Sequence, residues 1–249
     1  MNIFKAELKY YLRSPLIWLV AALFAFISAW SFLMAIEIFS RMQIKFAGMS
    51  DAPTISQGII FPVIATIAKL SLLIVAIVGG LSFSRYQQNN GWSLIHAYQK
   101  SHFRFILQKF MADALVCLLF VLPAILSVII LAIMAKISLA AIFVAIIGLI
   151  FLLLWMLSLI LFLSSLSNNS GFAILLGLVI LVLLWSLSHS TLDASWGKNW
   201  LQVLSPQYHF LQFLGSSLSF ASIFYFLSGI LLMLWAISIR LTHKRMILS

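Results

Sequence analysis

The stretch from Ala114 to Ala135, ALVCLLFVLPAILSVIILAIMA, contains no charged side chain. About 20 such residues are what a helix needs to cross a bilayer, and this feature limits the chain more than any other. Comparable runs recur along the sequence. Hydrophobic residues make up 64% of the chain and charged ones 8%, against roughly a quarter in soluble domains. A bilayer leaves only helices or a closed barrel as spanning forms. The runs are continuous, whereas barrel strands alternate apolar and polar positions, so helices are expected. Six spans are predicted, at about 15–36, 58–83, 109–134, 139–163, 171–188 and 218–240, with no length left for a separate soluble domain. The expected class is all-α and polytopic. The first apolar stretch exceeds a signal-peptide core and lacks a small-x-small cleavage site, so it is read as retained.

The formal charge is +10. In such a chain, basic residues mark the cytoplasmic ends of helices rather than a nucleic-acid partner. With the N-terminus inside, Lys5, Lys9, Arg13, Arg85, Lys100, Arg104, Lys109, Arg240, Lys244 and Arg245 fall on inner segments. Arg41, Lys45, Lys136 and Lys198 fall on outer ones. Both termini are therefore expected in the cytoplasm, and the protein in a bacterial cytoplasmic membrane. Lys69 is left inside span two, where a charge is costly enough to mark a candidate pathway residue or one that bonds a neighbouring helix. Its depth differs from that of Asp113 by roughly 15 Å at about 1.5 Å per residue, so no direct pair is expected.

The N-terminus, MNIFKAELKYYLRSP, places Lys5, Lys9 and Arg13 at every fourth position, with Phe4, Leu8, Tyr11 and Leu12 opposite. This predicts an amphipathic helix over 1–14 lying in the inner headgroup layer, ended by Pro15. Residues 37–57 read as an outer loop, and Pro62 and Pro123 as kinks within spans two and three. The segment RYQQNNGWSLIHAYQKS, from Arg85 to Ser101, is a polar inner link (84–108) with few full charges. Ser101 is placed to cap the next helix. Gly171, Ala173 and Gly177 give span five a small-residue flank for close packing. In the outer segment 189–217, Ser205-Pro206 opens a short helix whose apolar side is Tyr208, Phe210, Leu211, Phe213 and Leu214, resting on or dipping into the outer leaflet.

Catalytic signatures are absent. WGKNW around Lys198 lacks the glycine loop of a phosphate-binding P-loop, and no HExxH occurs. One cysteine, Cys117, excludes an internal disulfide. His96 and His102 are poorly spaced for a shared metal, and no metal site is expected. The acids Glu7, Glu37, Asp51, Asp113 and Asp193 form no sequence pattern with a nucleophile. The chain is expected to be no enzyme on its own.

Four stretches together resemble the ABC-2-type permease superfamily, in the branch of the gliding-motility and nitrous-oxide-reductase maturation transporters. FKAELKYYLRSPLIWLVAALF resembles the start F-x-x-E-x-x-x-Y-x-x-S-P. NNGWSLIHAYQKSHFRFILQKF resembles the segment G-T-x-E-x-L-L-x-x-P-x-S-x-x-x-x-x-x-x-K-F. SSLSNNSGFAILL and LSPQYHFLQFLGS resemble S-S-L-T-x-N-Q and L-S-P-x-x-H-F-x-x-F-x-x-G. The resemblance implies an exporter subunit. Two permeases, identical or paralogous, line a pathway, and separate ATPase subunits carry the ATP and Mg, this chain binding no cofactor. An accessory periplasmic or membrane subunit is a further implied partner. It implies a coupling helix with Trp92, Leu94, Ile95 and Tyr98 against the ATPase, Ser101 as its cap and Lys109 as the lysine opening span three. It also implies an outer gate helix with Pro206, Tyr208, His209, Phe210 and Phe213. Departures are concentrated in the coupling loop: Gln87, Gln88, Asn89 and Asn90 replace charged residues, and Ser93 and Gln99 stand at the family's glutamate and proline positions. A secondary transporter or channel working without an ATPase, or a membrane scaffold, are the alternative readings.

Overall fold

A computed structural model of the chain describes residues 3–46, 54–88, 102–189, 202–215 and 218–248. The described residues form eight α-helices and no strand: α1 (Ile3–Arg13), α2 (Pro15–Phe46), α3 (Phe61–Gln88), α4 (His102–Met134), α5 (Leu139–Leu166), α6 (Ser170–Ser186), α7 (Pro206–Leu214) and α8 (Phe220–Leu248). Five stretches are long and apolar enough to cross a membrane: Pro15–Gln43, Ser56–Tyr86, Phe103–Met134, Leu139–Leu166 and Phe220–Thr242. The protein is a polytopic helical membrane protein. At the position of the expected fifth span stands α6, apolar but with 17 residues. At about 1.5 Å per residue it is about 25 Å long, less than the roughly 30 Å hydrocarbon layer.

The centre of the bundle is the pair α3 and α5, which pack along each other, with α6 against both and α8 against α5. Close approach is paid for by missing side chains: a Cβ at Gly79 would lie 2.8 Å from Ile160 Cγ2. On α6 the small-residue flank divides. Ala173 and Gly177 face the bundle, whereas Gly171 is exposed. Hydrogen bonds between helices add register. Ser164 on α5 donates to Gly80 O (3.0 Å) and accepts from the N–H of Ser84 (3.0 Å) and of Phe83 (3.1 Å). The peripheral α2 buries few side chains, among them Ile17, Val20, Phe24 and Phe39.

One expectation changes. Residues 37–46 continue α2 instead of forming a loop. No helix breaker precedes Gly48, and Glu37 and Arg41, one turn apart, form an ion pair at 2.5 Å. Pro62 stands where a π-helical turn at Ser56–Ile60 passes into α3, within the stretch Ser56–Tyr86. Pro123 does lie inside its helix, α4.

Helix α4 ends in a Schellman turn, with Ile137 N–H donating to Ala132 O (3.0 Å) and Lys136 N–H to Ile133 O (3.2 Å). This closure requires a left-handed residue, and Lys136 supplies it at φ 52°. A Cβ is disfavoured there, so Lys136→Gly should stabilise the protein by about 1 kcal/mol. Thermal unfolding in detergent measures it; an unchanged or lower midpoint would contradict the assignment.

Candidate functional site

The site begins with a misfit in α1. An 11-residue helix with basic residues at every fourth position should turn Phe4, Leu8 and Tyr11 inward; Tyr11 is buried, and Phe4 and Leu8 are half-buried. The stripe also contains Glu7, three residues after Phe4 and four before Tyr11, so the acid is carried into the protein with them. Glu7 is 2% exposed and Tyr11 1%. Leu12, expected on the apolar side, is 41% exposed.

A buried carboxylate needs cations, and α3 and α4 provide them. Arg85 Nη2 lies 3.0 Å from Glu7 Oε2 and 3.3 Å from Oε1. Lys109 Nζ lies 3.1 Å from Oε1. The Tyr86 hydroxyl donates to the same oxygen. Aromatic faces complete the cage. The Arg85 guanidinium stands 3.6 Å over the Tyr10 ring, and Lys109 Nζ 4.5 Å from the Tyr86 centroid and 5.5 Å from that of Phe83. Lys109 is fully buried.

One turn beyond Lys109 on α4 stands Asp113, also fully buried. Its Oδ2 accepts a hydrogen bond from the Ser82 hydroxyl at 2.6 Å. The Tyr11 hydroxyl donates to Val78 O at 3.2 Å. The four ionisable groups sum to zero charge, which is the condition under which such a set survives away from water. The polar bonding is nevertheless incomplete: Arg85 Nη1, Gln108 Oε1, Lys109 Nζ and Asp113 Oδ1 are buried without a well-directed hydrogen bond among the described residues. Burial alone would push the Glu7 carboxyl up. Lys109 and Arg85 beside it, with the Tyr86 hydrogen bond, outweigh this and hold it below its ordinary 4.5. Burial first, then the nearby Asp113 and Glu7 carboxylates, drive the Tyr11 hydroxyl far up, so it remains a donor.

The position of this cluster gives it meaning. Arg85 and Tyr86 belong to the last turn of α3, and Lys109 to the second turn of α4. Between them runs 89–101. A single carboxylate on α1 thus ties together both roots of that segment. Trp92, Leu94, Ile95, Tyr98 and Ser101 themselves lie outside the described residues. Lys109 lies inside the protein and its ion partner is Glu7, so it presents nothing to the surface.

Lys69 stands on the exposed side of α3 and makes no hydrogen bond or ion pair with the described residues. Pro206, Tyr208, His209, Phe210 and Phe213 are together on α7, but the helix does not rest on a surface. Pro206, His209, Phe210 and Phe213 are buried and Tyr208 half-buried, while Leu211 points away. The cause is Gly148 on α5, which lets Phe213 approach so closely that a Cβ there would lie 2.5 Å from Phe213 Cβ. Ser205 holds the N-cap position without capping through its side chain. His209 is fixed by polar contacts at both ring nitrogens, Nε2 to Val203 O (2.8 Å) and Nδ1 to Ser222 Oγ (3.0 Å), and stacks on Tyr225 at 4.1 Å. Burial lowers its pKa below the ordinary 6.5, although the Val203 carbonyl pulls the other way, so the ring is neutral at neutral pH. Among the described residues no group of three His, Cys, Asp or Glu is close enough to hold a metal ion.

Sequence reading found Lys109 through the resemblance but missed Glu7 as its partner. The signal was present: an acid within the apolar stripe of an otherwise basic helix. Compared with models of known protein families and with curated proteins, the chain matches none.

Proposed function

We propose that this chain is the membrane subunit of an ABC-type exporter, driven by a separate ATPase that docks on the 89–101 segment. The observation that carries the reading is the Glu7 clamp. A force applied to 89–101 must act through its roots, and both are bonded to α1 by Glu7 at about 3 Å. Pushing the segment therefore moves α1, α3 and α4 as one unit. Because α3 is packed along α5 and α6, the motion reaches the centre of the bundle. Glu7 and Lys109 are also both positions of the motifs that resemble the ABC-2 permeases, in stretches 102 residues apart in the chain. Their contact brings two of the four resembling stretches together and supports the reading.

In this reading the cytoplasmic membrane holds the protein with both termini inside, a second permease copy or paralogue completes the pathway, and ATP and Mg stay on the ATPase. Lys69, exposed on α3, is the candidate pathway cation, and α7 with Pro206, Tyr208, His209, Phe210 and Phe213 is the outer gate. The segment's lack of charge makes docking depend on aromatic and amide contacts.

Co-purification from native membrane tests the proposal. A P-loop ATPase should accompany the wild-type chain. Trp92→Ala should weaken the complex by about ten-fold or more, as loss of a central aromatic anchor does. Raising the salt should have little effect. Absence of any ATPase across detergents would overturn the reading and favour an ATPase-independent transporter or channel.

A further inference from the structure

Because Glu7 is turned inward, the outward side of α1 has no acid to balance its cations. Lys9 and Arg13 are exposed, and neither forms a hydrogen bond or ion pair with the described residues. They line an open pocket of ≈ 500 Å³ at the elbow between α1 and α2, with Ala6, Tyr10, Ser14 and Pro15 as the remaining wall. The elbow is braced: Trp18 Nε1 donates to Leu12 O at 2.7 Å, and Ser14 N–H to Tyr11 O at 3.1 Å. The Tyr10 ring is pinned from behind by Arg85. Among the described carboxylates, Glu7 and Asp113 are buried and Glu37 lies at the far end of α2. That distance is about 33 Å at about 1.5 Å per residue.

The membrane-crossing part of α2 begins at Pro15, on the wall of the pocket. From there Leu16, Trp18, Leu19 and Leu23 are exposed, at 54, 53, 68 and 48%. Cations thus stand at the level where apolar surface begins, which is the arrangement of a phosphate headgroup above its acyl chains. We infer that the α1–α2 elbow is a binding site for an anionic phospholipid, its phosphate between Lys9 and Arg13 and its chains along Leu16, Leu19 and Leu23. A free phosphate ion would satisfy the cations but leave that apolar strip unused. The inference is independent of any ATPase partner.

The test uses the full chain, delipidated in an uncharged detergent and titrated with phosphatidylglycerol, with phosphatidylcholine of matched chains, or with inorganic phosphate. Thermal unfolding reads saturation. Phosphatidylglycerol should raise the midpoint well beyond phosphatidylcholine, and inorganic phosphate should leave it unchanged. The double variant Lys9→Gln/Arg13→Gln should lose about thirty-fold in affinity for phosphatidylglycerol, taking about 1 kcal/mol per basic residue near the surface. Both side chains are exposed, so its lipid-free midpoint should match wild type. Lys5→Gln, outside the pocket wall, should retain the preference. Equal response to both lipids, an equal response to inorganic phosphate, or an undiminished preference in the double variant would overturn the site.

Discussion

Replacing Glu7 by glutamine should lower the stability of the protein by about 3 kcal/mol, although it removes only a charge. The loss falls mainly on Lys109. This ammonium is fully buried, and Glu7 Oε1 at 3.1 Å is its ion partner. Arg85, with 22% of its side chain exposed, can turn toward solvent and contributes less. Asp113 remains nearby but leaves the buried set with a net positive charge. A cycle with Lys109→Met separates the pair from its surroundings. The double variant should be less damaged than the two single losses combined, because each single variant strands a charge that the double does not. Additive losses would mean that the two groups are not coupled.

The same residue has a pH signature. The folded-state pKa of Glu7 lies below its ordinary 4.5. Its contribution is therefore complete above the unfolded value and disappears as pH falls through the lowered folded one. The stability gap between wild type and Glu7→Gln should be present at neutral pH and shrink as strong acid protonates Glu7. A gap that closes already near neutral pH would mean that the carboxyl is not held ionised by Lys109 and Arg85.

The second large effect is expected at Gly80. A methyl group there would lie 2.5 Å from Ile174 Cγ1, 3.0 Å from Ile174 Cα and 3.1 Å from Ile174 N. A side-chain tip can swing away from such a contact, but backbone in an adjoining helix can relax only if α3 and α6 separate. The Gly80 carbonyl also accepts a hydrogen bond from Ser164 Oγ on α5 (3.0 Å), which holds α3 against α5 and leaves the displacement to α6. Gly80→Ala should cost about 3 kcal/mol, the upper part of the usual overpacking range. Gly171→Ala is the matched control. Its nearest neighbour would be Asn169 Oδ1 at 3.4 Å, and alanine favours the helix, so its effect should stay within about 0.5 kcal/mol. Unfolding in detergent, with elution profiles for assembly, measures both. Equal effects would show that α3 and α6 do not meet this closely.

Much of the helical layout is legible in the chain because it depends on local properties. An apolar run such as 114–135 must satisfy its backbone within itself, and a helix does so. Proline starts α2 at Pro15 and α7 at Pro206 because its missing N–H is harmless in a first turn. Asn169 caps α6 through its side chain, accepting from Gly171 N–H at 2.9 Å. Where a rule is weaker than its context, the reading slips. Residues 37–46 are polar enough for a loop, but the Glu37–Arg41 pair supports a helix. The Tyr208–Leu214 stretch has the composition of an interface helix, yet Gly148 opens a place for Phe213 inside the bundle.

The site divides along the same line. Sequence alone determined that the chain spans a membrane as helices, that α1 is amphipathic, and that polar residues interrupt the apolar chain at 84–108. Those are sums over neighbouring residues, and the bilayer's thickness and dielectric set the sign of each. Only the tertiary structure decided that Glu7 is the inward acid of α1, that it meets Arg85 and Lys109 across sequence gaps far longer than any helix turn, and that Lys9 and Arg13 are left unbalanced outside. Which charges meet depends on the rotation of each helix about its axis and on the depth at which it docks. Those are fixed by how all the helices pack at once, with glycines such as Gly80 setting how closely they approach, and no single stretch of the chain contains that information.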